Sequence, residues 1–307
     1  MLPLILAAAA MTLPNVEGRV DNQPDSPPKI ETPEEQFKAA QQKALLGDVE
    51  AQSKLSSMYQ QGFGTRQNME EACKWAKQAA QAEVPEALFN AAGCLLRDAK
   101  ETSPNKALEL LNKAADKGHI GAMRRLGRLY RSGDKGTPKD MGRAADYLTR
   151  AADMDDADAT AELASLYLDK SSPLYDVHKG AELMEKSAGM GSIFGSAMLG
   201  KMYWLGTGVE KDPDLAQTWL KAAADSGYAG AMEDLGVIGL KLSITDTQMD
   251  LARAAEAYQW MLRAQKAGHT FSTIGKKSFE VLEKLLPEDE RTRVKHELDA
   301  KPQFHRL

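Results

Sequence analysis

Ser103-Pro104-Asn105-Lys106 is the stretch of this 307-residue chain that comes nearest to spelling a reaction. In an S-x-x-K motif the serine is an acyl-accepting nucleophile when it opens a buried helix beside S-D-N and K-T-G segments. Neither segment occurs here, and the repeat spacing described below places Ser103 in a turn between helices. The five histidines, His119, His178, His269, His296 and His305, are scattered and form no H-x-x-x-H pair. The two cysteines, Cys73 and Cys94, form no C-x-x-C, so no zinc-type ligand set is present. GTGVEKD, at 206–212, leads into no G-K-[ST], which excludes a phosphate-cradling loop. No catalytic residue, metal or cofactor is expected.

Composition narrows the class. The chain is 43% hydrophobic and 6% aromatic, rich in the strong helix former alanine, and without the Val/Ile/Thr runs of strands. A net charge of -5 is too mild for a nucleic-acid partner. No apolar run of about 18 residues is present, so no membrane-spanning helix is expected. Residues 1–12, MLPLILAAAAMT, read as a signal-peptide core with an A-x-A-like site, although no Lys or Arg precedes them. Residues 13–33 are rich in proline and polar residues and read as a disordered linker. The expected location is periplasmic or secreted, with the cytoplasm as the alternative.

The elements follow from a repeat. Ala51, Ala87, Ala122, Ala159, Gly195 and Ala231 are spaced 36, 35, 37, 36 and 36 residues apart. Counting each as offset 0, offset 4 holds Leu55, Ala91, Leu126, Leu163, Leu199 and Leu235. Offset 7 is apolar in every unit, and offset 8 holds Tyr59, Leu95, Tyr130, Tyr167, Tyr203 and Gly239. Offsets 0, 4, 7 and 8 make one face of a helix. A second helix follows, as in Ala72-Trp75-Ala79-Ala80, Ala144-Tyr147-Ala151-Ala152 and Ala216-Trp219-Ala223-Ala224, and a glycine commonly ends it. MYQQGFG at 58–64 and MYWLGTG at 202–208 are thus the same turn, four units apart. The fold expected is all-α: a right-handed superhelical solenoid of six helix-turn-helix repeats over 34–270, with 34–47 as an N-terminal half-unit and 271–307 as a C-terminal helical cap.

GSAMLGKMYWLGTG followed by AQTWLKAAADSG resembles the Sel-one-like repeat, a subfamily of tetratricopeptide repeats. The resemblance covers roughly residues 40 to 270. Repeat two departs at Ala91, at Leu95 and in its glycine-free turn; repeat four has a long turn, and repeat six lacks the tyrosine. The resemblance implies a non-catalytic protein-binding solenoid, in bacteria a periplasmic scaffold or adaptor, or alternatively an immunity protein that neutralises a secreted effector such as a phospholipase. Some members of the family were once proposed to be β-lactamases, which makes a hydrolase the reading from another class.

The first helices of such solenoids line the concave, partner-binding surface. With offsets 0, 4, 7 and 8 in the core, offsets 2, 3, 6, 9 and 10 face outward. These positions put Phe89, Arg124, Arg128, Arg131, Leu168, Lys201 and Trp204 on that surface. Arg and Trp are the residue types that dominate interface energetics. A groove with apolar ends and a basic middle would suit an acidic segment of another protein, unless DMDDAD at 153–158 neutralises the arginines. Cys94 falls at a core offset and Cys73 on the helix expected to pack against it. The pair reads as two buried free thiols, with a disulfide as the alternative in an exported protein.

Overall fold

In a computed structural model, which describes residues 31–97, 104–244 and 248–300, fifteen helices are present and no strand beyond an isolated Ile244–Met249 bridge. Helix α1 (Pro33–Leu45) is a single helix packed on the first hairpin. Six hairpins follow: α2–α3 (Val49–Gln61, Met69–Ala79), α4–α5 (Pro85–Arg97, Pro104–Asp116), α6–α7 (Ile120–Ser132, Met141–Ala152), α8–α9 (Ala157–Leu168, Val177–Gly189), α10–α11 (Ile193–Leu205, Pro213–Asp225) and α12–α13 (Ala229–Ser243, Leu251–Lys266). Helices α14 (Thr273–Leu285) and α15 (Glu288–Ala300) end the stack. The leader and linker read at 1–33 lie almost wholly outside the described residues, as does Ser103.

The hairpin geometry is written locally. Five of the second helices have an Asn or Asp at the N-cap: Asn68, Asp140, Asp176, Asp212 and Asp250 each accept a backbone N–H from the first turn. Such a cap stabilises a helix by about 1 kcal/mol. In four hairpins the backbone N–H of the cap donates to the carbonyl of the offset-8 tyrosine, Tyr59, Tyr130, Tyr167 or Tyr203, at 2.8–3.0 Å. That bond closes the turn. The second glycine of MYQQGFG and of MYWLGTG has two reasons to be glycine. Gly64 and Gly208 have φ of 66° and 73°, which L side chains rarely adopt. A Cβ on Gly208 would also lie 2.6 Å from the Val177 carbonyl at the start of the preceding second helix, and Gly64 meets the Pro33 carbonyl in the same way. The turn of each of these repeats therefore rests on the unit before it.

The core runs the length of the stack as a chain of small clusters. Offset-4 leucines Leu55, Leu126 and Leu199 are fully buried, and Leu163 and Leu235 nearly so. Small residues let the two helices of a hairpin close: a Cβ on Gly200 would sit 2.7 Å from Leu220 Cγ. Successive first helices touch one another (α2 with α4, α8 with α10, α10 with α12) more than successive second helices do, which puts the first helices on the inner side of the curve. Helix α14 packs on α12 and α13, and α15 lies against α13.

One pairing corrects the reading of buried free thiols. Cys73 of α3 and Cys94 of α4 form a disulfide, with Cα atoms 5.5 Å apart. It joins the first hairpin to the second.

Candidate functional site

The first-helix face carries the outward residues singled out above, and their surroundings differ sharply along the stack. Arg124 and Arg128 of α6 reach the next repeat. Arg124 Nη2 donates to Asp158 at 3.1 Å and to Glu162 at 3.2 Å, and its Nε lies 3.6 Å from Asp156. Arg128 takes Glu162 in a two-pronged pair, Nε to Oε2 at 2.9 Å with Nη2 on Oε1. Ser192, the N-cap of α10, donates to Asp158 at 2.9 Å and so carries the network one repeat further. Asp156 and Asp158 of the DMDDAD stretch do neutralise Arg124; Glu162, outside that stretch, holds Arg128. Arg131 is left exposed.

A rule of register underlies these pairs. Arg128 is at offset 6 and Glu162 at offset 3 of the next repeat. The same two offsets bring Lys201 Nζ to Asp234 Oδ2 at 3.2 Å and, in the first two repeats, Asn90 to Ser57 at 3.5 Å. Burial pushes the Asp234 carboxyl above its ordinary range, and Lys201 opposes that rise. Between repeats two and three the same positions hold Gly93, with open space where a Cβ would be, and exposed Arg125.

The apolar candidates do not form one strip. Phe89 stacks on the His119 ring, centroids 4.6 Å apart. His119 is the N-cap of α6: Nδ1 accepts from the Ala122 N–H at 3.0 Å and Nε2 faces Glu86 at 2.9 Å. Phe89 thus covers the joint between repeats two and three. Leu168 lies against α9, filling the space that a side chain on Gly180 would need. Trp204 is half-buried against the cluster of Ala231, Leu235 and Ile238. The three residues pack on three different core clusters.

Trp204 differs from the other two in what covers it. Lys211 Nζ and Lys241 Nζ lie 5.5 and 5.8 Å from its ring centroid, within cation–π range. Neither lysine has a carboxylate partner among the described residues, and the neighbouring Leu205 is 67% exposed. Lys211, in the turn, gave no signal in the repeat pattern. Lys241 did: it lies at offset 10 of the next unit, the direction in which offset 6 meets offset 3. Among the described residues no group of three or more His, Cys, Asp or Glu is placed to hold a metal ion, and no helix is long and apolar enough to cross a membrane.

Comparison with known proteins gives relatives for this arrangement. A protective antigen of uropathogenic Escherichia coli with an SLR fold superposes with a TM-score of 0.72 at 26% identity, over 88% of this chain and 60% of that one. Chitin synthase regulatory factor 3 of Schizosaccharomyces pombe is 27% identical over 62% of this chain and 22% of its own length. Chitin synthase regulator SKT5 of Saccharomyces cerevisiae is 29% identical over 73% of this chain and 33% of its own. The chain therefore spans a third or less of these curated relatives. Sel1 repeats mediate protein–protein interaction. The Sel1 repeat profile matches residues 49–84, 85–119, 120–156, 157–192 and 195–228, five of the six hairpins, and the chain belongs to the Sel1 repeat family.

Proposed function

We propose that this chain is a non-catalytic scaffold or adaptor of a bacterial periplasm that holds a partner protein on its first-helix face, with Trp204 as the anchor. The observation that carries this reading is the Trp204 environment: a half-exposed indole under two lysines without carboxylate partners, beside an exposed Leu205. Such a patch suits a segment with an apolar side chain and flanking carboxylates. Arg131, exposed on α6, adds positive charge to the same face. Arg124, Arg128 and Lys201 hold successive first helices in register, and Phe89 and Leu168 seal gaps between helices. The disulfide supports an oxidising compartment, since such bonds persist in the periplasm and outside cells. The fungal relatives are regulators of an enzyme, which also supports a binding role.

The test is affinity capture from the native organism with wild type and Trp204→Ala side by side, followed by titration of the recovered partner. Loss of an aromatic anchor should weaken binding by about 2 kcal/mol or more. A partner held equally by both proteins would move the site elsewhere. A secreted toxin as the sole partner would replace the scaffold role with an immunity role.

A further inference from the structure

Glu233, on α12, is the one charged residue among those described that is buried, at 7% exposure. Three donors converge on its carboxylate from the connection between α13 and α14. The Ser272 N–H donates to Oε1 at 3.1 Å, the Ser272 hydroxyl donates to the same oxygen, and His269 Nε2 lies 2.6 Å from Oε2. Ser272 is also the N-cap of α14, its Oγ accepting from the Gly275 N–H at 3.1 Å. A Cβ at Gly275 would overlap the carboxylate, so the helix start is pressed directly on Glu233. Between the two clamped residues, Phe271 packs on the same core cluster as Trp204 and meets Phe279 of α14 at 5.7 Å between centroids. The other charged groups facing this point are Asp234, next along α12, and Lys201 of α10, which pairs with it.

We propose that the Glu233 carboxylate is a latch that holds α14 and the connection before it onto the last hairpin, and that acidification releases them. The chemistry is a matter of donors and acceptors. An ionised carboxylate accepts from all three donors. A protonated one must place its own O–H against groups that already donate, and a buried donor without an acceptor is costly. Desolvation, the largest single influence on Glu233, pushes its titration up. The Ser272 hydroxyl, the His269 ring and the Ser272 N–H together outweigh it and hold the group below its ordinary value. A carboxyl depressed in the folded state contributes stability that is complete above its unfolded value and lost as pH falls through the folded one. With its carboxyl held below the ordinary range, the latch stays shut through mild acid and opens when the carboxylate itself titrates.

Amide hydrogen exchange on the full chain tests this without any partner, so its outcome is independent of the binding reading. Peptides spanning 267–285 are compared with those of α10, after correction for intrinsic rates, at neutral pH, in mild acid above the ordinary carboxylate range, and well below that range. The latch requires protection over 267–285 to hold from the first pH to the second, then to fall by about tenfold more than in α10 at the third. Glu233→Gln should show that loss already at neutral pH, with no further response to acid. Ser272→Ala should move the same way at neutral pH with the carboxylate intact. Equal loss in α10 and α14, or a Glu233→Gln protein that still responds to acid, overturns the proposal. Should Glu233→Gln fail to fold, unchanged protection in Ser272→Ala overturns it alone.

Discussion

Two joints of the solenoid use the same geometry for opposite ends. Where repeat three meets repeat four, Arg124 and Arg128 are faced by Asp156, Asp158 and Glu162, and the positive charge is absorbed within the stack. Where repeat five meets repeat six, one acid, Asp234, takes one lysine, Lys201. Lys211 and Lys241, over the Trp204 ring, have no carboxylate partner among the described residues. Both places carry cations at outward offsets, Arg124 and Arg128 in one, Lys201 and Lys241 in the other. What differs is whether the following repeat presents the complement. In a one-dimensional stack, an outward side chain becomes structural when its neighbour answers it and is available to a partner when its neighbour does not.

Glu162→Gln should break the first joint most strongly. It leaves Arg124, three-quarters covered, and Arg128 short of their shared acceptor. A loss of about 2 kcal/mol is expected in urea denaturation, with partner affinity unchanged. A fall in affinity without a fall in stability would mean that the arginines serve binding after all. Lys211→Glu combined with Lys241→Glu acts on the second joint. Affinity for an acidic partner should drop about tenfold, with a steeper salt dependence lost and stability kept. An unchanged affinity would restrict the patch to its apolar part. The smallest effect belongs to Lys201→Met, which removes one partly exposed pair worth about 1 kcal/mol. Because Lys201 opposes the upward push of burial on Asp234, its removal should carry the Asp234 titration further up, as read by carboxyl NMR. A downward move would show that Lys201 is not the charge that Asp234 senses.

The architecture was legible because it is periodic. Alanines and leucines at offsets 0 and 4, the offset-8 tyrosine and the turn glycines recur in register, and each copy confirms the others. The sixth hairpin, which the family profile does not reach, was legible from Ala231, Leu235 and Ile238 on its first helix and from Ala257, Trp260 and Ala264 on its second. The candidate site was less legible because it depends on pairs between neighbouring units. Arg128 and Glu162 are 34 residues apart, and nothing in either repeat alone marks them as partners. The fixed step from offset 6 to offset 3 of the next unit would have found them, along with Lys201 and Asp234. Phe89 was placed by its offset on the open face, but a histidine following a repeat-ending glycine caps the next helix and stacks on it. The Cys73–Cys94 bond was left open by the sequence because helix packing brings two cysteines close whether or not they are oxidised. Glu233 escaped notice because its partners lie past the last regular repeat, where the period fails.

The disulfide also gives the stack a direction. Hairpins that touch only their neighbours can begin folding at any pair and grow either way. With Cys73 and Cys94 joined across 21 residues, the unfolded chain has already given up about 3 kcal/mol of freedom at one end. That loss favours nucleation at the first two hairpins, with later units adding toward α15. Under tension the bond bars the chain between Cys73 and Cys94 from extending, whatever parts around it.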